Sequence, residues 1–136
     1  GDVLVILSML YPWANLRNNF HVDHIFPKSL FTKSVLAKRG IVGDEAEEYI
    51  SKSGSLANLQ LLEELPNIEK GNREFAEWFA MSMVDDASKC DYLKKHLIPE
   101  VDFSFNNFLG FIDARESLLR IALGRELISA SAPRPI

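Results

Sequence analysis

Cysteine is nearly absent: Cys90 is the only one in 136 residues. A lone thiol excludes an internal disulfide and every zinc clip built on paired cysteines. It fits a reducing cytoplasm, where this chain is expected to work. Long apolar runs are missing too. The longest, Val3 to Tyr11 with Ser8 inside it, falls well short of the roughly 20 residues that cross a bilayer, so no membrane partner is expected. No basic leader precedes that run, and no small-residue cleavage site follows it before Tyr11, Pro12 and Trp13. It therefore reads as a buried helix or strand instead of a signal peptide. The chain opens on Gly1 and enters this run at once, which suggests a piece of a longer polypeptide with the remainder upstream.

Net positive charge is also lacking. Fifteen Lys and Arg stand against nineteen Asp and Glu, a formal -4, whereas phosphate binding generally leaves a basic footprint. The distribution partly offsets the total. From His24 to Gly43 the chain holds Lys28, Lys33, Lys38 and Arg39 and no acidic residue, a stretch open to two readings, a solvated face and a phosphate-contacting surface.

What is present is a globular composition, 47% hydrophobic and 25% charged, far from the disordered and fibrous classes. The length suits one domain, placed over residues 1–128, with a flexible tail at 129–136 marked by Pro133 and Pro135. The expected class is α+β and mostly helical. Phe20 to Phe26 reads as a short strand stopped by Pro27. A short helix is expected around residues 44–50, where acidic residues crowd its first turn. Ser55 to Leu62 reads as a second short strand. One helix is expected from Leu65-Pro66-Asn67 onward, with Ile68, Phe75, Trp78, Phe79 and Met83 as its core stripe and Asn67, Lys70 and Glu74 on a polar face. Two architectural helices follow, 86–97 and roughly 104–128. His96, Cys90, Trp13 and Trp78 are assigned to packing or surface.

Chemistry concentrates at the end of the first strand. His21-Val22-Asp23-His24-Ile25-Phe26-Pro27-Lys28-Ser29 places two of the three histidines beside a carboxylate. Asn58-Leu59-Gln60-Leu61-Leu62 follows, and then Asn67 with Lys70 three residues on. Hydrolysis of a phosphodiester needs an activated water and a cation to neutralise charge on the phosphate and leaving oxygen. An imidazole with a reference pKa near 6.5 suits the general base, His24. Asp23 and Asn67 offer one anionic and one neutral hard oxygen, a pair that suits a single Mg2+ or Mn2+. His21, Lys28 and Lys70 are candidate phosphate contacts; for each the alternative is an ordinary surface or packing side chain.

The pattern D-H-I-x-P-x-S, then N-L-x-L-L, then N-x-x-K resembles the HNH family of ββα-metal nucleases. The resemblance implies a ββα-metal (His-Me finger) core of two short antiparallel strands and a helix, surrounded by additional helices. It implies a metal-dependent DNA endonuclease with His24 as general base, Asn58 orienting the motif loop, and Asp23 and Asn67 holding the metal. The wording Phe-His-Val-Asp-His-Ile-Phe-Pro-Lys-Ser-Leu is similar to the nuclease half of GmrSD-type modification-dependent restriction enzymes. That likeness implies a restriction role in antiviral defence and an upstream ParB-like domain of the same polypeptide. The sequence departs from many HNH proteins in its long insertion, 25–57, between His24 and Asn58. Two other readings compete: a catalytically inactive HNH-fold module that binds nucleic acid or a partner protein, and a structural transition-metal clip of His21, Asp23 and His24.

Overall fold

The computed structural model describes residues 2–15 and 19–131. Among them are seven α-helices and one two-stranded sheet, an α+β architecture dominated by helix. β1 (Phe20–His24) pairs antiparallel with β2 (Leu59–Glu63), in a register that sets Asp23 opposite Gln60 and His24 opposite Leu59. β1 is shorter than the expected Phe20 to Phe26. Ile25 and Phe26 are 0% and 1% exposed, and two consecutive residues cannot both face the core from a regular pleat.

The insertion between the strands holds two helices, where one was expected. α2 (Lys33–Lys38) is capped by Thr32, whose hydroxyl accepts from the Val35 N–H at 3.2 Å. α3 (Gly43–Lys52) carries Asp44 and Glu45 in its first turn, where the helix dipole favours them. A 3-10 turn over Leu56–Asn58 then leads into β2, which starts later than Ser55.

α4 (Glu64–Lys70) follows β2 directly and packs on both strands. The single long helix expected from Leu65 to Met83 is two helices. Gly71, at φ 49 and ψ -127, ends α4 in a conformation that glycine reaches without a Cβ penalty. The chain restarts as α5 (Phe75–Ser82). The apolar stripe divides accordingly: Phe75, Trp78 and Phe79 are buried, but Ile68 on α4 is 66% exposed. Glu74 is not on the helix of Asn67 and Lys70; it stands just before α5 and its carboxylate pairs with Arg39.

α6 (Asp86–Lys95) is capped by Asp85, whose carboxylate accepts from the Ser88 N–H. α7 (Phe108–Ser131) is preceded by a 3-10 turn, Phe105–Asn107, so it begins after the expected Ser104. It also continues into the segment assigned to the tail; residues 132–136 of that tail lie outside the described residues. α1 (Asp2–Leu10) packs on α7 through its inner face, with Leu7 and Leu10 buried while Val3, Leu4 and Val5 remain exposed.

Phe26 plugs the aromatic core, its ring centroid 4.9 Å from Phe111 and 5.3 Å from Phe108. Full burial of such a side chain contributes roughly 1.5–3 kcal/mol. It also anchors the segment immediately after His24, which ties the site to the core.

Candidate active site

Three elements meet at the end of β1. The first junction is made by Asn58, fully buried in the turn before β2. Its Oδ1 accepts from the Phe26 N–H at 2.9 Å, and its Nδ2 donates to the Phe26 carbonyl at 3.1 Å and to the Ser53 carbonyl at 2.7 Å. The Asn58 carbonyl also accepts from the Ile25 N–H at 2.8 Å. The side chain thus replaces the ladder bonds that β1 loses as it turns inward, and it fixes the path of the chain leaving His24.

The second junction is Lys70, at the last position of α4 and 0% exposed. Its Nζ donates to the His24 carbonyl at 2.9 Å and lies 3.1 Å from Asp23 Oδ2 and 3.4 Å from Oδ1. Lys70 was a candidate phosphate contact; its ammonium is instead spent inside the fold. Burial lowers the Lys70 pKa, and the Asp23 carboxylate opposes the shift. Removing either partner of a buried ion pair leaves an uncompensated charge, at a cost of about 3–5 kcal/mol.

Asp23 is 8% exposed. Besides Lys70, its Oδ2 accepts from Gln60 Nε2 at 2.9 Å, and Gln60 Oε1 in turn accepts from the Tyr92 hydroxyl at 2.6 Å. Gln60 and Tyr92 were not among the expected site residues. Gln60 lies between two leucines of the strand motif, and the only signal for it was register, since an antiparallel partner of Asp23 must sit on the same face. Tyr92 reaches the site from α6, a helix expected to be purely architectural.

His24 is half-buried at the last position of β1. Its pKa lies below 6.5, first because of burial; Asp23 pulls it up, while the cations Lys28 and Lys70 push it down. Lys28 is exposed on the 3-10 turn just after Pro27. Asn67 stands one turn before Lys70 on α4, half-exposed, with no hydrogen bond to its side chain among the described residues. His21 is half-buried, and its Nε2 is enclosed without a partner. Of the four basic residues after His24, Arg39 is committed elsewhere, bonded to Glu74 and lying over the Phe105 ring.

No model of a known protein family matches the chain, and no curated protein matches its sequence. What the site can do follows from its own chemistry. Asp23 Oδ1, with only one long contact to Lys70, and the amide oxygen of Asn67 are hard donors of the kind that suit Mg2+ or Mn2+. Among the described residues no group of three or more His, Cys, Asp or Glu is placed to hold a metal ion. No helix among them is long and apolar enough to cross a membrane.

Proposed function

We propose that this chain is a divalent-metal-dependent DNA endonuclease domain of the HNH type, with β1, β2 and α4 as its ββα-metal core. The observation that carries the reading is the meeting of the three motif segments. Asn58 clamps the chain after His24, and Lys70 joins α4 to both Asp23 and His24.

Asp23 and Asn67 would hold the cation, which when bound neutralises charge on the phosphate and the leaving oxygen. His24 takes the proton from the attacking water; its lowered pKa keeps the imidazole neutral and ready as a base near neutral pH. Asn58 holds the motif loop so that His24 presents its ring in one orientation. Lys28, exposed and close enough to influence His24 electrostatically, meets substrate phosphate. Lys70 neutralises Asp23 within the fold, and His21, with its enclosed ring nitrogen, is left without a part. A restriction role against foreign DNA, with an upstream ParB-like domain handling recognition, belongs to the same proposal.

The acidic total charge and the engagement of Asp23 by Lys70 favour one competing reading, an inactive module that binds DNA or a partner without cutting. A plasmid assay separates the two. Supercoiled DNA with Mn2+ is expected to be nicked or linearised, to be protected by chelator, and to be cut at least about 100-fold more slowly by His24→Ala. Equal cutting by a folded His24→Ala protein sinks the assignment of the base, and binding without any cutting favours the inactive module.

A further inference from the structure

We infer that Gln60 and Tyr92 are positioning residues that fix the Asp23 carboxylate so that Oδ1 is the oxygen turned to the cation. The inference rests on the nuclease reading and adds to it two residues that the motif does not specify.

The polarity of the Asp23–Gln60–Tyr92 chain is forced. An ionised carboxylate only accepts hydrogen bonds, so the Gln60 amide must present its NH2 to Asp23 Oδ2, as it does at 2.9 Å. Its Oε1 then faces the Tyr92 hydroxyl at 2.6 Å, where Tyr92 must be the donor. Burial raises the Tyr92 pKa well above the ordinary phenol value, so that proton stays in place. The Tyr92 ring is itself held, stacked on His96 at 4.1 Å and 20° and edge-on to Trp78 at 5.6 Å. A rigid ring on α6 therefore sets the amide, and the amide sets the carboxylate.

The two Asp23 oxygens are left unequal. Oδ2 receives both Gln60 Nε2 at 2.9 Å and Lys70 Nζ at 3.1 Å, while Oδ1 has only the Lys70 contact at 3.4 Å. Gln60 is 0% exposed and lies directly opposite Asp23 in the sheet register, so its amide has no solvent to turn to in place of the carboxylate. Such outer partners of a ligating carboxylate typically change metal affinity or activity by 10–100-fold when removed.

The test is a double-mutant cycle read by Mn2+ alone, with free ion measured by electron paramagnetic resonance on the full chain and folding confirmed by thermal melting. Gln60→Leu is expected to weaken Mn2+ binding at least about tenfold, and Tyr92→Phe to weaken it by a smaller factor. Tyr92→Phe should add nothing in the Gln60→Leu background, because it acts through Gln60. A merely structural role would give additive losses that follow the melting temperature, and that result overturns the inference. Mn2+ binding that depends on Asn67 but ignores Gln60 and Tyr92 also overturns it and leaves the nuclease reading standing. Wild-type binding no tighter than that of Asn67→Ala removes the metal site itself, and the positioning role with it.

Discussion

Half-buried at the end of β1, the His24 ring has lost part of the hydration that would stabilise its imidazolium, and two neighbouring cations add to the effect. On the proposed nuclease reading, a base tuned this way keeps working as the medium is acidified below pH 6.5, and rate is lost only when the lowered pKa is reached. Lys28 supplies part of the depression from an exposed position. Lys28→Ala should therefore move the acid limb of the cutting rate to higher pH while also weakening DNA binding, as a pH–rate profile and a salt titration would show; an unmoved limb denies Lys28 any hold on His24. At this scale much of the site was legible in the sequence. His24 stood out because histidine is scarce in the chain, and Asp23, Asn58 and Asn67 by their order along it. Gln60 did not, and Lys70 stood out only as a candidate phosphate contact. Nothing near Lys70 in sequence says that a buried carboxylate lies beneath it; that fact belongs to the tertiary fold.

Elements were legible where a local signal acts alone, and misjudged where a distant partner decides. The strands and the acidic start of α3 were readable from pattern. The long helix expected through Gly71 was not, because the apolar spacing runs on by coincidence across a glycine whose φ of 49 ends α4. Arg115 is the clearest case. It sits four residues after Phe111 on the buried side of α7, where an apolar residue would be expected, and it is 0% exposed. Its guanidinium donates to the carbonyls of Ala57 at 2.9 Å and Leu59 at 2.6 Å on either side of Asn58, and to those of His96 at 3.1 Å and Leu97 at 3.2 Å at the end of α6. No carboxylate among the described residues pairs with it; carbonyl oxygens, including those at the negative end of α6, balance the charge instead. Arg115→Met should destabilise the fold by at least about 3 kcal/mol, since several buried carbonyls lose their donor at once. Urea unfolding measures this, and a loss below about 1 kcal/mol would mean that the turn carrying Asn58 holds itself.

Across the whole molecule a buried polar column runs from Asp23 through Gln60 and Tyr92 to His96, whose Nδ1 shares a 3.0 Å hydrogen bond with the Tyr11 hydroxyl beyond the end of α1. Burial lowers the His96 pKa to about 3, with Arg115 and Lys95 adding to the shift. The folded protein thus refuses a proton that the unfolded chain binds below pH 6.5. Stability from His96 is complete above that pH and falls as pH drops toward 3, by about 1.4 kcal/mol per unit. Unfolding at pH 7, 5.5 and 4.5 should show this slope for the wild type and a shallower one for His96→Gln; equal slopes would place the acid sensitivity elsewhere. The same column links site geometry to global packing, so the convergence at Asp23 is best tested in place. Crystals grown with a DNA duplex and Mn2+, using the His24→Ala protein, can locate the ion by anomalous scattering. The account predicts one Mn2+ about 2.1 Å from both Asp23 Oδ1 and the Asn67 amide oxygen. An ion bound elsewhere, or one that contacts Asp23 while Asn67 stays out of reach, contradicts it.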